Sequence, residues 1–187
     1  MKRYWTADWH LGSPAIIEYC NRPFRDVEHM NSSLIRNANQ RVKDNDTLIS
    51  VGDMISYGRA KGVDGLRLKH DDYASQINGT FVNVAGNHDD NNHVKSICDF
   101  MMVKIGKMKV SISHMPTSGG WANDEVELIG VEGKSIPAFH ICGHVHTAWK
   151  HQYRDSILNI NVGCDQWNYH PVSDEEILRY IVKNKLL

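Results

Sequence analysis

Seven side chains able to bind a metal ion are spread along this chain in a repeating pattern. Asp8-x-His10 and His144-x-His146 each place two donors at i and i+2. On extended chain that spacing points both side chains to one side, so each pair can serve one cluster. Asp53, Asn87 and His114 add three more donors. All seven offer nitrogen or oxygen. They are too many for one tetrahedral zinc ion and lack the thiolates of structural zinc sites. They suit two ions roughly 3.5–4 Å apart, bridged by a carboxylate. Such donors fit manganese, iron, zinc, cobalt or nickel without choosing among them. Two divalent ions bring four positive charges, against two negative from Asp8 and Asp53. The remainder favours an anion such as phosphate together with hydroxide.

The elements that position these donors are legible in the same stretches. Apolar β-type runs at 4–7, 47–51, 80–85, 109–113 and 138–142 each stop at a donor: Asp8, Asp53, Asn87, His114 and His144. In α/β folds, ligands bind beyond the carboxyl ends of strands, where the loops converge. Val27, Met30, Leu34, Ala38 and Val42 recur at helical spacing, with Asp26 as N-cap. A weaker, polar helix is expected over 65–77. Residues 100–105 and 109–113 flank Gly106-Lys107-Met108 and read as a hairpin. Another strand is expected at 157–162. Ser173 and Glu176 have capping-box spacing before a helix through Ile177, Tyr180 and Ile181. No repeat or linker divides the chain, so 1–187 reads as one α/β domain.

Composition excludes several function classes. Lys plus Arg total 21 against 22 Asp plus Glu, a formal net charge of −1. That balance argues against a protein that coats DNA or an anionic membrane. No run approaches the roughly 18 apolar residues of a membrane span, and the opening residues do not read as a signal peptide. The 4 cysteines (Cys20, Cys98, Cys142, Cys164) are widely spaced. They read as reduced thiols, which implies a cytoplasmic protein. The 11 histidines are the compositional oddity.

Asp8-x-His10, Gly52-Asp53, Gly86-Asn87-His88-Asp89, His114 and Gly143-His144-x-His146, in this order, resemble the five motifs of the calcineurin-like metallophosphoesterases. Asp8-Trp9-His10-Leu11-Gly12, Arg22-Pro23-Phe24, His114-Met115-Pro116, and Asn161-Val162-Gly163 through Pro171-Val172-Ser173 resemble its compact single-domain bacterial and phage members. The resemblance implies a four-layer αββα sandwich with two mixed β-sheets. It implies two divalent ions, manganese foremost with iron, zinc, nickel or cobalt as alternatives. Asp8, His10, Asp53 and His146 would hold one ion; Asp53, Asn87, His114 and His144 would hold the other. A bridging hydroxide would attack phosphorus, with His88 as general acid; Asp89 would either orient it or cap the next turn.

The chain departs from the protein-phosphatase branch, whose Gly-Asp-x-x-Asp-Arg-Gly motif is replaced here by Ser56, Tyr57 and Gly58 after Gly52-Asp53. Ser13 stands where compact relatives often carry histidine. The expected substrate is therefore a phosphodiester or small nucleotide, cleaved by a phosphoric ester hydrolase, with no stable nucleic-acid complex. The rivals are an inactive scaffold, as one retromer subunit of this fold is, and a nuclease on short single strands.

No substrate-binding residue is assigned. Arg22, Arg59, Lys61 and Arg154 are candidates for a phosphate tail, and Trp9, Trp121, Trp149 and Trp167 for base stacking, with packing favoured for Trp9. His70 could face substrate from the weak helix, with solvent favoured; His29, His93, His140, His151 and His170 carry no expected role in the chemistry, and Cys142 and Cys164 read as buried small hydrophobes. Gly130 through Ser135 ends like a phosphate-binding loop. It lacks the required first glycine, because Leu128 stands there.

Overall fold

The computed structural model describes residues 1–58, 65–117, 138–154 and 156–187. Arg59, Lys61, Trp121 and the Gly130–Ser135 stretch lie outside the described residues.

Strand parity builds the molecule. Strands β1 (Arg3–Thr6), β2 (Thr47–Val51) and β3 (Thr80–Val84) pair in parallel. Tyr4 lies beside Leu48 and Leu48 beside Phe81; one residue on, Trp5 lies beside Ile49 and Ile49 beside Val82. The first row packs under helices and the second faces another sheet. Both faces of this sheet are therefore covered, as expected of parallel strands rich in apolar residues.

The covering helices are α1 (Pro14–Tyr19), α2 (Val27–Arg41) and α3 (His70–Ala74). Met30, Leu34 and Ala38 of α2 are fully buried against Tyr4 and Leu48. Asp26 caps α2 by accepting a hydrogen bond from the His29 amide at 2.7 Å. Helix α3 is much shorter than the expected 65–77. The Leu66 amide donates to the Gly12 carbonyl at 2.8 Å and the Tyr57 hydroxyl to the Leu68 carbonyl, which hold 65–69 outside the helix. Tertiary hydrogen bonds there override a weak local preference.

The second sheet has the order β4-β5-β6-β8-β7. It contains β4 (Phe100–Ile105), β5 (Met108–Ser113), β6 (Phe139–Cys142), β7 (His151–Arg154) and β8 (Ile157–Asn161). Strands β5, β6 and β8 run parallel, and β4 and β7 are antiparallel edges. The β4–β5 turn uses Gly106 at φ +60°, a value a primed hairpin turn requires. Val110, Ile112, Phe139, Ile141, Leu158 and Ile160 meet Trp5, Ile49 and Val51 across the sandwich.

The two-residue β9 (Val172–Ser173) joins the first sheet antiparallel to β1 and leads into α4 (Asp174–Lys183). The expected capping box is present: the Glu176 amide donates to Ser173 Oγ at 3.3 Å, and the Ser173 amide to Glu176 Oε2 at 2.9 Å. Ile177 and Ile181 insert into the core between the sheets. The architecture is thus the expected α/β sandwich of two mixed sheets with helices packed on it.

Candidate metal centre

All five donor-bearing loops emerge at the carboxyl ends of β1, β2, β3, β5 and β6, and backbone bonds tie them together. The Asp8 amide donates to the Gly52 carbonyl and the His10 amide to the Asp53 carbonyl, each at 3.0 Å. The Gly143 amide donates to the His114 carbonyl, also at 3.0 Å. Two glycines let the loops close. A Cβ at Gly52 would stand 2.5 Å from His114 Nδ1, and one at Gly86 would stand 2.3 Å from the Asp53 amide nitrogen.

Five of the seven donors have left-handed backbone: Asp8 (φ 57°), His10 (49°), Asp53 (54°), His144 (69°) and His146 (44°). Such conformations are uncommon for side chains other than glycine and gather at functional sites.

Asp53 sits at the centre. Its Oδ2 lies 3.5 Å from His10 Nε2 and 3.2 Å from His114 Nε2, and its Oδ1 accepts the His88 amide at 2.9 Å. Asn87 Oδ1 is 3.1 Å from His114 Nε2 and 3.0 Å from His144 Nδ1. The His10 and His146 rings are 5.1 Å apart. One donor atom from each of Asp8, His10 and His146 fall within 4.8 Å of one another, and so do donors of Asp53, His114 and His144. Donors of His10, Asp53 and His88, and of Cys20, His146 and Asp165, lie equally close, and the structure gathers all seven expected residues at one end of the sandwich.

The donors fit metal ions. Asp8 Oδ2 and His10 Nε2 are buried without a hydrogen-bond partner, which is costly for polar atoms with no ligand to satisfy them. Burial pushes the Asp8 carboxyl up. Burial opposes charge on Asp53 as well, yet the hydrogen bond and charge of His114, with His10 and the His88 amide, hold it well below the usual carboxylate range. Burial lowers His10 to about 3. It also acts against charge on His114, but Asp53 and Asp8 outweigh it and raise that imidazole to about 9.

His146 shows the same balance: burial against, then the Asp165 hydrogen bond in favour, giving about 10. Both imidazoles therefore carry protons at neutral pH where metal would bind, and metal uptake must displace them. Apparent metal affinity is expected to rise about tenfold per proton per pH unit from pH 7 towards 9. Proton release measured by calorimetry in buffers of different ionisation enthalpy checks this. Uptake without proton release would contradict it.

Behind the donors lies a buried support that sequence reading did not find. Arg22 forks onto Asp165, with Nε at 2.8 Å from Oδ1 and Nη2 at 2.8 Å from Oδ2. Asp165 Oδ2 in turn stands 3.4 Å from His146 Nδ1. A carboxylate on the far nitrogen of a ligating histidine fixes its ring and tautomer. Arg22 also donates to the Asp8 carbonyl at 2.7 Å and the Trp9 carbonyl at 2.9 Å. Its side chain is fully buried, so it is a brace for the loops and not a contact for a phosphate tail.

Asp89 likewise differs from expectation. Its carboxylate accepts from the amides of Asp53 (3.1 Å), Met54 (3.0 Å) and Gly86 (2.8 Å), and from Asn83 Nδ2 (3.0 Å). It locks the Asp53 loop to the Asn87 loop, and none of these bonds goes to His88. Turn geometry explains the difference: Asp89 N donates back to the Gly86 carbonyl, so its side chain folds inward under the loop. His88 is exposed and stands edge-on to His10, ring centres 5.2 Å apart.

Other side chains resolve as follows. Trp9 is buried and donates to Thr6 Oγ1 at 2.7 Å, a packing role. Trp167 donates to the Asn161 carbonyl at 2.9 Å, with Lys150 Nζ 3.5 Å from its ring centre. Arg154 lies over Trp149 at 5.7 Å. His140 is buried and bonds Ser111 Oγ and the Met115 carbonyl, which steadies the chain after His114. Tyr19, 79% exposed, stands edge-on to His146 and offers an aromatic surface that sequence reading missed.

Comparison with known proteins adds an independent line. Residues 25–179 match the calcineurin-like phosphoesterase superfamily domain. An uncharacterized protein of Methanocaldococcus jannaschii is 32% identical over 100% of this chain and 94% of its own. A structure of a protein of unknown function from Aquifex aeolicus superposes with a TM-score of 0.65 at 20% identity, covering 96% of this chain and 99% of that one. An archaeal phosphodiesterase gives a TM-score of 0.46 at 19% identity, over 89% and 87% of the two chains. Asp8 and His10 precede the matched span; it is the fold that brings them to the other donors.

Proposed function

Since the chain belongs to the calcineurin-like phosphoesterase superfamily, we propose that it is a dinuclear-metal hydrolase of a phosphodiester or small nucleotide. The observation that supports this most is the convergence of seven donors on one site in which buried Asp8 Oδ2 and His10 Nε2 have no hydrogen-bond partner. Asp8, His10, Asp53 and His146 would hold one ion, and Asp53, Asn87, His114 and His144 the other, with manganese as the metal to try first. When bound, two such ions supply Lewis-acid activation of water and of the phosphoryl oxygens.

The chain's own residues do the rest. Arg22 and Asp165 fix the His146 ring and the Asp8 loop, and Asp89 holds the Asp53 and Asn87 loops in register. His88, whose backbone is pinned to Asp53 Oδ1 while its ring is exposed, delivers a proton to the leaving oxygen. Ser56, Tyr57 and Gly58 replace the second motif of phosphoprotein phosphatases, which favours a small diester. The substrate is taken from solution, without a stable nucleic-acid complex. Among the described residues no helix is long and apolar enough to cross a membrane. The four cysteines are free thiols, which supports a cytoplasmic setting.

The test is hydrolysis of bis(p-nitrophenyl) phosphate by manganese-reconstituted and chelated protein, with p-nitrophenyl phosphate alongside. Metal-dependent cleavage of the diester above the monoester is expected. Two ions verified in the protein with neither ester cleaved would replace this reading with the scaffold one.

A further inference from the structure

A cavity of about 230 Å³ is linked to the metal centre through Asn92, a wall residue bonded to His88. Tyr57, Lys69, His70, Asp71, Asn92, His93 and Lys95 line it. Its walls continue the two loops that carry the chemistry. Tyr57 follows Asp53 by four residues, while Asn92 and His93 follow His88 by four and five. Asn92 Nδ2 donates to the His88 carbonyl at 2.6 Å, so the cavity wall is bonded directly to the general-acid residue. The third wall is the start of α3.

His70 carries the argument further. It is only 9% exposed, lines the cavity, and its buried Nδ1 has no hydrogen-bond partner. Burial holds its imidazole below the ordinary value, so at neutral pH one ring nitrogen donates and the other accepts. With Nδ1 enclosed, only the other nitrogen of this uncharged ring is left for a ligand, and it suits a heterocycle or a hydroxyl better than an anion. Three rings (Tyr57, His70, His93) supply surfaces on which a base can lie. The charge is also suited to an uncharged ring system: Lys95 is already paired with Asp71 at 2.7 Å, leaving Lys69 to face a ribose or its phosphate.

We propose that this cavity is a nucleoside subsite, taking the base and sugar on one side of the scissile phosphate. The proposal rests on the phosphodiesterase reading and deepens it. It makes the cavity a determinant of which ester is cleaved. His70 and Lys69 would be specificity residues and not catalytic ones.

Two measurements decide it. In the first, the full chain is titrated with adenosine 5′-monophosphate, adenosine and inorganic phosphate while histidine ring signals are followed by NMR. His70 and His93 are assigned from His70→Gln and His93→Asn proteins. The nucleoside and the nucleotide are expected to shift both rings, and phosphate is not. Unmoved rings at saturating nucleoside, or equal shifts with phosphate alone, would overturn the proposal.

In the second, the Michaelis constant for the p-nitrophenyl ester of thymidine 5′-monophosphate is compared with that for bis(p-nitrophenyl) phosphate. His70→Gln and Lys69→Ala should each raise the first about tenfold and leave the second within twofold. A parallel change on both esters would mean a structural effect and sink the idea. If neither ester is cleaved, the phosphodiesterase reading falls, and the NMR titration still rules on the cavity by itself.

Discussion

Asp53→Asn is expected to lose at least one of two bound ions per chain and about 10³-fold or more in turnover. Its Oδ2 lies within 3.5 Å of both His10 and His114, the position proposed above for a carboxylate shared by two ions. An amide in that place removes the negative charge and can turn an N–H₂ towards the two imidazoles proposed as metal ligands. Lewis-acid stabilisation of a phosphoryl transition state is worth several kcal/mol, and each 1.36 kcal/mol is about tenfold in rate. The fold should survive, because the backbone bonds between the Asp8 and Asp53 loops do not involve this side chain. Metal analysis, far-UV circular dichroism and diester turnover check the three parts. Retention of two ions with turnover within tenfold of the parent would remove Asp53 from the bridging position.

His88→Ala should behave differently, leaving metal content intact while turnover falls roughly 10²–10⁴-fold. The bond His88 makes to Asp53 comes from its backbone amide, which alanine retains, and its ring is exposed at the site. The loss must also depend on the leaving group. An alkoxide or nucleoside hydroxyl needs a proton as it departs, whereas p-nitrophenolate hardly does. The variant is therefore expected to lose far more on an alkyl or nucleoside ester than on an aryl one. Equal losses on both would show that the ring does something other than protonate the leaving oxygen.

These residues were legible in the sequence because parallel strands expose their carboxyl ends to one crevice, so a donor after each apolar run is a donor in one place. Short spacing told the same story for Asp8 with His10. What could not be read was anything held by contacts across distant segments. Arg22 and Asp165 are 143 residues apart, and neither shows a local pattern that marks it as a brace for His146. Asp89 sits beside His88 in sequence, but the turn directs its carboxylate under the loop to four other donors. Helix α3 was overestimated because hydrogen bonds from Leu66 to Gly12 and from Tyr57 to Leu68 compete with a weak helical preference. Strand β7, with polar residues at an edge, and the two-residue β9 have no apolar alternation to detect, since pairing partners supply their stability.

The left-handed backbone at Asp8, His10, Asp53, His144 and His146 reaches beyond chemistry. Conformations of this kind cost about 1–3 kcal/mol each and persist only when their surroundings hold them. Five of them crowd one end of the sandwich, beside carboxylate and imidazole groups that lack partners without a ligand. That end is where local opening should begin in metal-free protein. Ions that bind only the folded chain oppose the opening, by about 2.7 kcal/mol at a free concentration one hundred times the dissociation constant. Metal supply would then govern how long the molecule survives proteolysis as well as how fast it turns over, and a starved cell would lose the protein along with its activity.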